Sequence, residues 1–250
     1  MIGKHYVLTG GTSGLGYAIL KQLIGKGAHV TVLARNPNKL RQISSNQVTF
    51  IKCDLQLKQN IVDLKTHFSN HKIDGIIYSS GVGYFKSIEE HSEEEMIETY
   101  TLNAIHFNLL LSTLRPCLSQ HPTIVGIGSQ SAFLTQAHAA HYGASKSAFN
   151  QILNALRIEH QDYHVLTVNT GPIATPFHEK ADPTLNYAKK YQHMMLDADD
   201  LAIKIIQAMI HHKKEINEPK WMHIMLKVYN IAPRFFENNF TFLFNNKKRE

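Results

Sequence analysis

The chain has 250 residues, 43% of them hydrophobic and 18% charged, with a formal net charge of +6. That length suits one large domain or two small ones, and the apolar share supports a sizeable core, which excludes a disordered chain. The basic excess alone fits an anionic small ligand as well as it fits nucleic acid, but no nucleic-acid motif accompanies it, so no such partner is expected.

Two cysteines, Cys53 and Cys117, form neither a CxxC pair nor a ligand set, which points to a reducing compartment. The N-terminus runs straight into the strand-like Tyr6-Val7-Leu8 without a signal-peptide core. No apolar run approaches the roughly 18 residues of a membrane span. The expected address is the cytoplasm.

Short β-like runs alternate with longer helical stretches. In chain order the strands are expected at Tyr6–Leu8, Val30–Leu33, Thr49–Ile51, Gly75–Tyr78, Ile124–Ile127 and Val165–Val168. Each gap is long enough for a crossover, so the expectation is an α/β fold. It takes the form of a single-domain, Rossmann-type, doubly wound parallel sheet with helices on both faces. One of those helices is marked by Met96, Tyr100, Asn103, Phe107, Leu110 and Leu114, which recur at spacings of four and three and so share a face. Asn103 is a polar amide on that apolar stripe. Burying it unpaired costs about 1–3 kcal/mol, so it needs partners inside the protein.

Directly after the first strand comes Thr9-Gly10-Gly11-Thr12-Ser13-Gly14-Leu15-Gly16, followed by an amphipathic segment with Ile19, Leu20 and Leu23. Glycines permit a tight strand-to-helix turn and a close backbone approach to a pyrophosphate, and the N–H groups of the helix start bind the anion. Placement between a strand and a helix is what turns a Gly-rich stretch into a dinucleotide loop, with Gly10, Thr12, Ser13, Gly14, Leu15 and Gly16 as its binding residues. No Gly-Lys-Ser/Thr ending follows, which argues against a nucleoside-triphosphate loop.

The second strand ends at Arg35, where an NAD-binding domain has a carboxylate for the ribose 2′-hydroxyl. A guanidinium there pairs with a 2′-phosphate, so NADP(H) is expected over NAD(H). After the third strand, Asp54 and Leu55 are placed to meet the adenine; for Asp54 the competing reading is a helix N-cap.

Ser129 ends the fifth strand, and Tyr142-Gly-Ala-Ser-Lys146 follows thirteen residues on. On a helix, Tyr142 and Lys146 share a face, and a nearby ammonium is expected to lower the phenol's pKa toward the working range. Ser129 is placed to hydrogen-bond a substrate oxygen.

With the glycine loop, Asn103, Ser129, Tyr142 and Lys146 in this order and spacing, the chain resembles a classical short-chain dehydrogenase/reductase over about residues 3–178. The resemblance implies that Tyr142 exchanges a proton with the substrate oxygen, Ser129 holds that oxygen, and Lys146 holds the nicotinamide ribose and tunes Tyr142. Asn103 would keep a water in a proton relay behind Lys146. It further implies that the loop Asn169–Thr175 grips the nicotinamide through Gly171, Ile173 and Thr175. A small carbonyl or alcohol substrate and a homodimer or homotetramer are implied as well. The alternative is a dinucleotide-binding sensor or scaffold without turnover.

Two departures stand out. Tyr78-Ser79-Ser80-Gly81 replaces the family's Asn-Asn-Ala-Gly, with Ser80 and Gly81 still expected at the cofactor, and no basic residue stands inside the glycine loop. His138 and His141 have helical spacing for a metal, but no further ligands cluster near them, so no metal is expected.

The expected organisation is a cofactor and catalytic core over 1–178, a substrate lid and following helix over 179–220, and an amphipathic extension over 221–250. In that extension Trp221, Ile224, Met225, Val228, Tyr229 and Ala232 mark a helix ending at Pro233. Aromatic residues 235–244 and then Lys247, Lys248 and Arg249 follow. Packing on the core or a subunit interface is one reading; contact with an anionic membrane surface is the other.

Overall fold

The computed structural model describes residues 1–40, 43, 46–69 and 72–245. Lys247, Lys248 and Arg249 lie outside the described residues. Strands β1 (His5–Thr9), β2 (His29–Ala34), β3 (Val48–Lys52), β4 (Ile73–Tyr78), β5 (Leu118–Ile127), β6 (His164–Thr170) and β7 (Glu215–Glu218) form one parallel sheet. Their order is β3-β2-β1-β4-β5-β6-β7. The chain winds outward from β1 to β3, then crosses back to β4 and winds the other way. A crevice therefore opens at the carboxyl ends of β1 and β4, where ligands bind in such sheets. Six strands fall on the expected runs. The seventh, Glu-Ile-Asn-Glu at the sheet edge, has one apolar residue and no readable alternation.

Because successive strand residues face opposite sides, the core has two halves. Leu8, Ile77, Val125 and Leu166 pack with α1 (Gly14–Gly25) on one face. Val7, Ile76, Ile124 and Val165 pack with α2 (Lys58–Phe68) on the other.

The helix expected around Asn103 is three pieces: α3 (Glu93–Tyr100), a π-helical turn over Thr101–Ile105, and α4 (His106–Leu114). Ser92 and Glu95 cap its start reciprocally. The wide turn inserts one extra residue, and the buried face passes from Thr99 through Leu102 and Asn103 to Phe107. Helix α5 (Ala140–Glu159) then carries the Tyr-Lys pair against the same half of the core.

After β6, the short helices α6 (Phe177–Ala181) and α7 (Asn186–Tyr191) span the segment expected as a lid. Helix α8 (Ala198–Ile210) returns to the core beside α1, burying Leu201, Ile205 and Ile206. Helices α9 (Lys220–Tyr229) and α10 (Pro233–Asn239) follow β7. Only Leu226 and Tyr229 of α9 are buried, so the apolar stripe Trp221, Ile224, Met225 and Val228 faces outward rather than onto the core. Among the described residues no helix is long and apolar enough to cross a membrane.

Candidate active site

A cleft of about 410 Å³ runs along the carboxyl ends of the strands. It is lined by every residue expected to bind the dinucleotide: Gly10, Thr12 to Gly16, Arg35, Asp54, Leu55, Ser80, Gly81, Tyr142, Lys146, Gly171, Ile173 and Thr175.

The glycine loop is built by close backbone approach. A Cβ on Gly16 would stand 2.2 Å from the Gly10 carbonyl oxygen, and one on Gly14, at φ +50°, would meet the Thr175 methyl at 2.9 Å. Only glycine lets the start of α1 fold this tightly onto β1 and onto the loop after β6. The result is an open anion cradle at a helix N-terminus, which fits a dinucleotide pyrophosphate.

The departure at Tyr78–Gly81 is compensated locally. Thr9 Oγ1 accepts from the backbone N–H groups of Ser79 and Ser80 at 3.0 and 3.1 Å. The buried Tyr78 hydroxyl donates to the Leu102 carbonyl at 2.6 Å, inside the π-helical turn. Gly81 keeps its role as a point of close approach: a Cβ there would stand 3.2 Å from Asn103 Oδ1 and 3.3 Å from Lys146 Nζ.

Asp54 does not cap α2, whose N-cap is Leu57. Its carboxylate accepts instead from the Gln56 N–H at 3.0 Å, turning the chain at the cleft wall. Arg35 is exposed at the rim of the same wall.

The catalytic candidates converge. Ser129, buried at the end of β5, hydrogen-bonds the Tyr142 hydroxyl. Lys146, one turn along α5, donates to the Ile127 carbonyl at 2.9 Å, and its ammonium lies 6.0 Å from the Tyr142 ring centre. Asn103 is fully buried: Oδ1 accepts from Val82 N at 2.9 Å, while Nδ2 donates to Val82 O at 2.8 Å and Ser145 Oγ at 2.9 Å. Ser145 Oγ in turn donates to the Tyr142 carbonyl at 2.8 Å. The amide thus pins the loop after β4 to the turn of α5 that presents Tyr142.

The expected sign of the Tyr142 shift is reversed in the chain by itself. Burial raises the phenol above its ordinary value and the Ser129 hydrogen bond offsets only part of that. Burial also lowers Lys146, to about 8, which leaves it mostly an ammonium at neutral pH. Tyr142 therefore rests as a neutral phenol.

Residues that sequence reasoning missed complete the walls. Gly83 lies against the Tyr142 ring, where a Cβ would come within 2.7 Å of Cδ2. Glu98 on α3 and Lys180 on α6 face each other across the cleft, their side chains 2.6 Å apart. Tyr84 and Gln56 also donate to Glu98. None of these residues sits in a recognisable motif; only their meeting in space marks them. His141 hydrogen-bonds Tyr100 at 3.2 Å and packs on His91. Among the described residues no group of three or more His, Cys, Asp or Glu could hold a metal ion.

Residues 4–186 match the short chain dehydrogenase family, and the chain belongs to that family. An uncharacterized oxidoreductase of Staphylococcus epidermidis is 29% identical over 217 residues, spanning 82% of this chain and 90% of that protein. A short-chain dehydrogenase/reductase from Burkholderia phymatum in complex with NAD superposes with a TM-score of 0.83 at 16% identity, covering 94% and 95% of the two chains. A short-chain dehydrogenase from Burkholderia cenocepacia in complex with NADP gives 0.80 at 18% identity, covering 95% and 97%. The chain is an oxidoreductase of this family.

Proposed function

We propose that the chain is an NADP(H)-dependent oxidoreductase that interconverts a carbonyl compound and a secondary alcohol, with Tyr142 as general acid/base. The observation that carries this reading is the hydrogen bond between Ser129 and the Tyr142 hydroxyl beside buried Lys146, on the wall of the dinucleotide cleft. A protein that only bound the dinucleotide would have no need of that pair.

Gly10 to Gly16 would hold the pyrophosphate, Asp54 and Leu55 the adenine, and Gly171, Ile173 and Thr175 the nicotinamide end. The bound dinucleotide supplies or accepts the hydride. In carbonyl reduction the neutral Tyr142 hydroxyl gives its proton to the substrate oxygen, and Ser129 holds that oxygen by a second hydrogen bond. Lys146 stabilises the resulting phenolate by its charge, and Asn103 keeps the Lys146 and Tyr142 turn in place through Ser145. In alcohol oxidation the same groups run in reverse. Helices α6 and α7 act as the lid over the substrate.

Exposed Arg35 favours the 2′-phosphate of NADP(H), since no carboxylate stands at the end of β2 to receive a free 2′-hydroxyl. The free Cys53 and Cys117 suit a cytoplasmic, reducing setting. Exposed Ile97 and Ile105 on the outer side of α3 and its π-helical turn are suited to a homo-oligomer contact.

The test has two arms. Titration with NADPH and with NADH, followed by nicotinamide fluorescence, should show NADPH bound at least tenfold tighter, about 1.4 kcal/mol, with the preference lost in Arg35→Ala. In a carbonyl-substrate screen, Tyr142→Phe should lose about a hundredfold to ten-thousandfold in kcat/KM while still binding dinucleotide. Full turnover by Tyr142→Phe would remove the catalytic reading.

A further inference from the structure

Helix α9 is amphipathic in an inverted sense for a domain helix. Its buried residues, Leu226 and Tyr229, tie it to the loop after Ser129, whereas Trp221, Ile224, Met225 and Val228 are between 49% and 63% exposed. Their spacing of three, one and three puts them on one stripe along the helix. The stripe is held outward. Tyr229 Oη donates to Glu237 at 2.7 Å and accepts from the Thr135 hydroxyl at 3.0 Å, and Asn230 Nδ2 donates to the Phe133 carbonyl at 2.9 Å. Beyond the helix, Ile231, at 83%, and Phe242, at 72%, extend the exposed apolar surface. An apolar surface of this extent, fixed in place, marks an interaction site.

The charge of the same segment selects the partner. Residues 219–250 contain six basic and two acidic side chains, so this short segment holds +4 of the chain's +6. Exposed Lys220 and Lys227 belong to the same helix as the stripe. A two-fold contact with a second copy would press like charges together, which costs free energy. An anionic lipid surface satisfies both features: the Trp, Ile, Met and Val side chains enter the acyl boundary while the lysines meet the headgroups.

We propose that α9 and the segment after it dock the protein on an anionic bilayer. The geometry also sets the orientation. Helix α9 is preceded by its N-cap Pro219, whose carbonyl accepts from Gln130 Nε2 at 3.2 Å, next to Ser129. Met222 lies against Gly171, where a Cβ would stand 3.4 Å from its sulfur. The docking element is therefore braced against the catalytic and nicotinamide loops, at the end of the sheet where the cleft opens. Delivery of an apolar carbonyl substrate from the bilayer is the consequence, and that consequence rests on the oxidoreductase reading above.

The test is co-sedimentation of the full chain with vesicles of phosphatidylcholine alone and with vesicles containing phosphatidylglycerol. The protein should pellet with the anionic vesicles, at least tenfold more than with the neutral ones, and release should increase with salt. Trp221→Glu/Ile224→Glu should stay in the supernatant while keeping its circular dichroism and its NADPH titration. Failure of the full chain to pellet, or equal pelleting of the double variant, overturns the proposal. So does a dimer in sedimentation equilibrium that the double variant dissociates with no vesicle binding by either protein, since a second copy then covers the stripe. Selective pelleting by a chain that turns over no carbonyl substrate supports docking and removes only the oxidoreductase reading.

Discussion

Lys180 Nζ on α6 lies 2.6 Å from Glu98 Oε1 on α3, so an ion pair bridges the cleft between the two helices. Tyr84 and Gln56 donate to the same carboxylate, which joins α6 to the loops after β4 and β3. Burial pushes the Glu98 carboxyl up, but the hydrogen bonds from Lys180 and Tyr84 outweigh it and hold it below the usual carboxylate range. A depressed carboxyl contributes its stabilisation above its unfolded pKa and loses it as pH falls through the folded value, so the latch is closed at neutral pH. Lys180 is half-exposed, so the pair contributes only about 0.5–1 kcal/mol to stability. Its larger effect is on access. Glu98→Gln should raise the dinucleotide dissociation rate about threefold to tenfold in stopped-flow fluorescence at pH 7, with little change in the melting temperature. An unchanged off-rate would mean that α6 moves independently of this pair.

Asn103 is a structural pin whose loss should be felt in both stability and rate. Asn103→Ala leaves Val82 N, Val82 O and Ser145 Oγ without their partner in a fully buried place. Unsatisfied buried groups cost about 1–3 kcal/mol, and a cavity adds to that. Urea denaturation should show a loss of about 2–4 kcal/mol. A relay water held at Asn103 would add a kinetic signature, a lower kcat with KM nearly unchanged. A variant of wild-type stability would show that the amide holds nothing in place.

Glu98 and Asn103 mark the boundary between what is legible in the sequence and what is not. Asn103 stands out because it breaks an apolar helical period, and the period itself is readable although the π-helical turn within it is not. One inserted residue alters hydrogen-bond geometry without altering composition. The strands β1, β2, β4 and β6 are readable because both of their faces are buried, which requires continuous apolar runs. Edge strand β7 has no such requirement. The cleft's glycines are legible where backbone geometry demands glycine, as at Gly16. Glu98 and Lys180 are not, because they meet across 82 residues and neither is unusual alone. The stripe of α9 is plain in the sequence as a stripe, but periodicity does not say whether such a face meets a core or solvent.

Gly83 offers a test of how tightly the Tyr142 ring is held. A Cβ at this position would lie 2.7 Å from Tyr142 Cδ2 and 3.1 Å from Phe177 Cζ. The ring must shift to admit it, and a displacement of that order moves the hydroxyl from Ser129. Gly83→Ala should lower kcat about tenfold to a hundredfold, since misplacement by about 1 Å has that effect on positioned groups. Dinucleotide binding should survive, because Gly83 lies beside Tyr142 and Phe177 rather than the glycine loop. Unaltered kcat would show that the ring is not confined by this contact.

Lys146 links the site to the stability of the free protein through pH. Burial lowers its pKa from 10.5 to about 8, with the ammonium donating to the Ile127 carbonyl. In the unfolded chain the same lysine keeps its ordinary value, so between these limits the unfolded state binds more protons than the folded one. Stability therefore rises with pH across that interval. The contribution is complete above the unfolded pKa and is lost as pH falls through the folded one. A tenfold change in a protonation equilibrium corresponds to about 1.4 kcal/mol, which puts the full effect on the order of 3 kcal/mol for so buried a group. Lys146→Met should remove this dependence. The difference in urea-denaturation free energy between Lys146→Met and wild type should be largest near pH 7 and shrink toward pH 10. Bound dinucleotide should flatten the wild-type curve, because a ribose hydroxyl or phosphate near the ammonium stabilises its charged form and raises its pKa again. Parallel curves for the variant and wild type would mean that Lys146 is hydrated well enough in the folded chain to keep its ordinary pKa.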